Sequence, residues 1–180
     1  LTFNNCKFKG TNIDGPAVDA DSLGLNICTL VFNKVEFTEQ VNYFMNYTGT
    51  FGSVSQRDMK FNGFKAKAFI QALQYTGCTI EWENVYIEDG DGTGSIFLTF
   101  VEGSCGGFFK NVHIGKVALA FSFGNDAAGS SVSPNFVISD SHIKGTIILF
   151  GGKMRNTIID TRTLAVPCLS MLSQNAFIKG

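Results

Sequence analysis

The chain has 180 residues and a mass of 19.5 kDa, about one domain in length and enough to bury a sizeable core. Charged residues make up 16% against 44% hydrophobic, and 14 Lys+Arg stand against 15 Asp+Glu for a net charge of −1, so the basic footprint that nucleic-acid binding needs is missing. No apolar run reaches the roughly 18 residues of a membrane span. The five cysteines, an odd number without a CxxC, and only two histidines argue against a complete disulfide framework and a structural zinc site.

The chain opens on a strand-like run, Leu1–Phe3, without an initiator Met or a signal peptide. It closes at Lys179-Gly180. It reads as one domain over 1–180, cut from a longer protein. Twenty glycines, three prolines and eighteen phenylalanines predict many turns and a core built from phenylalanine. The low surface charge predicts that another chain covers part of the surface.

A repeat emerges when the chain is cut before an alternating apolar octet. The octets begin at Leu1, Leu30, Met59, Ile80, Gly107, Phe136 and Asn156, spaced 29, 29, 21, 27, 29 and 20 residues apart. Position 3 reads Phe3, Phe32, Phe61, Trp82, Phe109, Ile138, Ile158. Positions 6 (from Cys6, Val35 and Phe64 on) and 8 (from Phe8, Phe37 and Ala66 on) are mostly apolar too. Position 5 reads Asn5, Lys34, Gly63, Asn84, Asn111, Asp140, Asp160, and Asn, Asp and Gly tolerate a left-handed bend. Each octet is therefore predicted to be two short strands around a one-residue corner, with the inward set moving from positions 1 and 3 to 6 and 8. A third strand is predicted after most octets, at Tyr43–Tyr47, Ala68–Leu73, Ser95–Phe100, Val117–Phe123, Thr146–Phe150 and Cys168–Leu172.

Three strands per repeat without helical periodicity predict an all-β parallel solenoid, its coils stacked at roughly the 4.8 Å strand spacing. The x-[FIW]-x-[ND]-[CV]-x-[FI] pattern with its corner Asn resembles the right-handed parallel β-helix of pectate lyases, polygalacturonases and phage tailspikes. The resemblance spans essentially the whole chain and implies a right-handed, single-stranded parallel β-helix of about seven coils. Asn12-Ile13-Asp14-Gly15, with Asp19 and Asp21, looks like the polygalacturonase NTD segment. The Asp-Asp, Gly-His-Gly and Arg-x-Lys of those enzymes do not occur here, so their activity is not carried over.

Several constellations could carry chemistry. Glu81 and Glu83 flank inward Trp82 on one strand, roughly 6.5–7 Å apart on one face, close to the spacing of an inverting glycosidase pair. Tyr86, His113, His142 and Arg162 share position 7 on successive coils and could bind an anionic sugar. Glu88, Asp89 and Asp91 lie in a glycine-rich turn that could hold Ca2+ loosely; the EF-hand's closing Glu is missing, because its position falls on Phe100. Cys28, Cys78 and Cys105 share an offset two residues before their octets and predict a ladder of reduced thiols. An outward stripe of Phe44, Phe69, Phe97 and Ala120, extended by Ile148 and Phe150, predicts a subunit interface. The resemblance implies a homotrimeric, tailspike-like segment on a virion or cell exterior that binds bacterial surface polysaccharide. The alternatives are a polysaccharide depolymerase, either hydrolase or lyase, of the same fold and a structural shaft without a site.

Overall fold

The computed structural model describes residues 1–9, 16–19, 29–39, 43–47, 58–67, 73–77, 79–89, 95–100, 106–116, 119–125, 135–149, 152–160, 169–171 and 176–178. These residues form strands and no helix. In chain order the strands begin β1 (Thr2–Asn4), β2 (Lys7–Phe8), β3 (Pro16–Asp19), β4 (Thr29–Asn33), β5 (Glu36–Phe37), β6 (Tyr43–Tyr47) and β7 (Asp58–Asn62). They continue as β8 (Lys65–Ala66), β9 (Leu73–Gly77), β10 (Thr79–Ile87), β11 (Ser95–Phe100), β12 (Gly106–Ile114), β13 (Leu119–Asn125) and β14 (Asn135–Ser139). The last are β15 (His142–Ile143), β16 (Thr146–Leu149), β17 (Gly152–Arg155), β18 (Ile158–Ile159), β19 (Leu169–Met171) and β20 (Ala176–Ile178).

Every described pairing is parallel, and the strands curl into two sheets. The first has the path β1-β4-β7-β10-β12-β14-β17-β20, with the short strands β2, β5, β8, β15 and β18 beyond the corner; the second runs β19-β16-β13-β11-β9-β6-β3. Equivalent octet positions lie directly opposite one another, as in Phe32↔Phe61, Trp82↔Phe61 and Trp82↔Phe109.

The corner explains the octet. Asn5, Lys34, Gly63, Asn84, Asn111, Asp140 and Asn156 all have φ between 47 and 64, the left-handed region where Asn, Asp and Gly cost least. One residue spent there advances the alternation by one. Along β10 the inward set therefore runs Ile80, Trp82, then Val85, Ile87, all buried. The corner amide does not lose its partner: Asn5 N–H donates to Asn33 O at 2.9 Å, Lys34 N–H to Asn62 O at 2.8 Å and Gly63 N–H to Glu83 O at 3.0 Å. Corner side chains add their own ladder. Asn111 Nδ2 donates to Asn84 Oδ1 at 2.8 Å, and Asn156 Nδ2 to Asp140 Oδ1 at 3.2 Å.

Lys34 breaks this chemistry, because a lysine at φ 52 pays roughly 1 kcal/mol or more for its left-handed backbone. Lys34→Asn is expected to stabilise the chain by about 1 kcal/mol, read from the midpoint of urea unfolding. An unchanged or lower midpoint would count against this account of the corner.

The core is a set of stacked columns. Phe3 stacks on Phe32 at 5.1 Å, Phe32 meets Phe61 edge-on at 5.1 Å, Phe61 stacks on Trp82 at 4.9 Å, and Trp82 meets Phe109 at 5.3 Å. These separations follow from the strand spacing, and each aromatic pair adds about 0.5–1.5 kcal/mol beyond the area it buries. One row exchanges its sizes: Phe64 fills position 6, where its neighbours carry Val35 and Val85, while Ala66 stands at position 8 between Phe37 and Ile87. The polar member of the position-6 column is satisfied. Buried Ser141 donates to Ser139 O at 2.7 Å and accepts from Val112 N–H at 3.1 Å.

Two readings from the sequence need correction. The last octet does not start at Asn156. Ile138 pairs with Met154 and His142 with Ile158, so the row begins at Gly152 and Asn156, not Asp160, turns the corner. Met154 is the inward residue, while Ile158 is 62% exposed at position 7, the place assigned to Arg162. The loop before this row is shorter than the repeat spacing implied, and two apolar residues beyond a real corner mimic a new octet.

The phenylalanine stripe is also out of register. Asn46, Gln74, Phe97 and Ser122 are level with one another, so Phe97 lies one alternation away from the level of Phe44. Ile148 is level with Ser122. Octet spacing does not set the register of the second sheet, because loops of different length separate the two. Phe69 and Phe150 lie outside the described residues, as do Asn12–Gly15, Asp21, Cys28, Cys78 and Cys105. Of the predicted third strands, Tyr43–Tyr47 and Ser95–Phe100 match β6 and β11. The strand expected at Ala68–Leu73 is described only from Leu73, as β9.

Candidate functional site

Parallel stacking turns outward octet positions into columns of side chains along the stack. On the wall before the corner, Glu81 and Glu83 project outward from β10 on either side of buried Trp82. They turn in opposite directions. Glu81 pairs with Lys60 on one neighbouring row at 3.0 Å, and Glu83 pairs with Lys110 on the other at 2.9 Å. That hydrogen bond also holds the Lys110 ammonium above the usual lysine range. Asn4, Asn33, Asn62, Val31 and half-exposed Phe108 share an open groove of about 290 Å³ with these carboxylates. Asn33 Nδ2 donates to Asn4 Oδ1 at 3.2 Å in it.

The wall beyond the corner carries the predicted aromatic column. Tyr86, His113 and His142 stand on adjacent rows. The Tyr86 ring stacks on His113 at 4.7 Å and 13° between planes, and His113 meets His142 edge-on at 5.3 Å. Arg162 lies outside the described residues. On the other side of Tyr86 lies the row of Lys65. There a cavity of about 410 Å³ is lined by Glu36, Phe37, Lys65, Ala66, Lys67, Tyr86 and Glu88. Ala66 stands in its floor where the adjacent rows carry Phe37 and Ile87. Tyr86 is 45% exposed.

The turn carboxylates do not converge. Glu88 pairs with Lys67 at 2.8 Å. Asp89 accepts from Lys144 Nζ at 2.9 Å and from Lys116 N–H at 3.1 Å, and the Lys144 hydrogen bond is the largest cause holding its carboxyl below the ordinary range. Asp91 lies outside the described residues. Among the described residues no three His, Cys, Asp or Glu side chains come together as a metal-binding group.

Partial burial lowers the His113 pKa from the ordinary 6.5, helped by repulsion from His142 and Lys144 and opposed by Asp89. Between that lowered value and 6.5 the unfolded chain binds a proton that the folded chain does not, so stability falls as pH drops through this window and levels off below it. Asp89 and Glu36, both lowered, lose their contributions only at more acid pH. His113→Gln is expected to flatten the slope just below pH 6.5 while leaving the acid limb in place. An unchanged slope in thermal melts across pH would overturn the assignment.

The residues missed by sequence reading are the lysines opposite the carboxylates. Lys7–Glu36 at 3.0 Å, Lys60–Glu81, Lys67–Glu88 and Glu83–Lys110 are contacts between adjacent rows. The signal was available: opposite charges recur at the same octet position in neighbouring rows. Exposed pairs of this kind contribute only about 0–1 kcal/mol each, so their main effect is to set the charge pattern of the wall. Comparison of the chain with protein-family models, curated proteins and solved structures finds no match.

Proposed function

We propose that the chain is a segment of a right-handed parallel β-helix of about seven coils, acting as a glycan-binding receptor module of the phage-tailspike type on a bacterial surface polysaccharide. The right hand follows from the general rule for crossovers between parallel strands of one sheet. The observation that carries the glycan reading is the cavity beside Tyr86. It joins a half-exposed ring held flat on His113 to an apolar floor at Phe37 and Ala66 and a rim of ammonium and carboxylate groups. A ring face takes the C–H side of a sugar, and charged rims hydrogen-bond its hydroxyls.

Screening the protein against bacterial surface polysaccharides and their oligosaccharides tests this reading. Saturable binding is expected, weakened at least about tenfold by Tyr86→Ala, which corresponds to about 1.4 kcal/mol. No saturable binding, or binding indifferent to Tyr86, would refute it. Homotrimeric assembly is a separate part of the proposal. Light scattering at several concentrations tests it, and a mass of one chain throughout removes it.

A further inference from the structure

The charge pattern of the Tyr86 cavity points to the kind of sugar it takes. Lys7 occupies Glu36 at 3.0 Å and Lys67 occupies Glu88 at 2.8 Å. Lys65 lies between them. It is level with Glu36 on one side and with Tyr86 on the other, and its side chain is exposed. Its ammonium makes no ion pair among the described residues. Lys7, Lys65 and Lys67 therefore put three ammoniums against the two carboxylates of Glu36 and Glu88, leaving one positive charge at the mouth of the cavity. Glu36 stays ionised within this set, because the Lys7 hydrogen bond and charge hold its carboxyl below the ordinary range.

We propose that the cavity selects an acidic saccharide, a uronic acid or another carboxylate-bearing sugar, with Lys65 Nζ taking the carboxylate and the Tyr86 ring taking the C–H face. This rests on the glycan reading above and narrows it. An ammonium without a protein partner is the group that a carboxylate can engage without breaking an existing pair. Lys67 and Lys7 would each have to leave a glutamate first. Glu36 and Glu88, already neutralised, remain able to accept hydroxyl hydrogens from the sugar ring. A neutral sugar keeps the stacking contact and gains nothing from Lys65.

The test compares uronic-acid oligosaccharides with the same oligosaccharides after carboxyl reduction, by calorimetry at low and at physiological salt. The acidic member of a pair is expected to bind at least tenfold more tightly, with the preference shrinking as salt rises. Lys65→Gln should abolish the preference while leaving affinity for the reduced member within about twofold. Lys65→Arg should retain it. Equal affinity for both members of every pair, or a preference that survives Lys65→Gln, overturns the acidic-sugar assignment and leaves the glycan reading standing. Binding to neither member across the panel overturns both. Because the Lys65 side chain projects into solvent, circular dichroism of the variants should match the parent.

Discussion

Gly107→Ala is expected to destabilise the chain by at least about 3 kcal/mol, the range of a forced backbone clash. A Cβ on Gly107 would stand 1.7 Å from Ile80 O, 2.7 Å from Ile80 C and 3.0 Å from Ile80 N. All three are backbone atoms of the adjacent row, so no side-chain rotation relieves the overlap. The residue also has φ 151, which side-chain-bearing residues rarely adopt. Relief requires β12 to move away from β10, along the most extensive described pairing in the molecule, from Thr79↔Gly106 to Ile87↔Ile114. Gly63→Asn is the control. Its new Cβ would meet Lys34 Cγ at 3.5 Å, an ordinary contact, at a φ of 64 that Asn tolerates, so it should be close to neutral. Urea unfolding of both variants separates the two cases. A loss below about 1 kcal/mol for Gly107→Ala would mean that the rows are not this close.

Trp82→Ala should cost about 3–5 kcal/mol, as large aromatic truncations in cores do. The indole is fully buried. It lies flat on Phe61 at 4.9 Å and 6° and meets the Phe109 ring edge-on at 5.3 Å. Its removal leaves a void between two rows whose backbones are already tied to β10, so neither ring can follow it inward. Trp82→Phe keeps one ring in the column and should recover more than half of the loss. Circular dichroism in urea measures both, since Trp82 is the chain's single tryptophan and fluorescence vanishes with it. A cost under about 2 kcal/mol would show that the column closes over the gap.

The first sheet was legible because two independent constraints recur in each octet: an inward residue at position 3 and a left-handed residue at position 5. Where both are strong, as in Phe32 with Lys34 or Trp82 with Asn84, the predicted and observed rows coincide. The reading slipped where the inward residue is Met154 rather than a ring or Ile, and Ile158-Ile159 before Asp160 offered a better-looking pattern. In the second sheet the strands were partly found and their register was not, since no corner residue pins it. At the site, the outward direction of Glu81, Glu83, Tyr86, His113 and His142 could be read from one octet at a time. Their partners could not. Lys60, Lys65 and Lys110 become neighbours only once rows are superposed.

The ladder bonds of this molecule run along the stacking axis, and in the first sheet each row is tied to the row before it and the row after it. Tension applied between the two ends therefore opens them as a zipper rather than shearing them together. The first rows to part are the terminal ones, where Leu1 is exposed and Phe3 and Phe8 are only half-buried. Each release frees one loop and one row's worth of slack while the rows behind it keep their register. Mechanical resistance in such a stack is low at any instant but extended over distance, a ratchet of small steps rather than one large break.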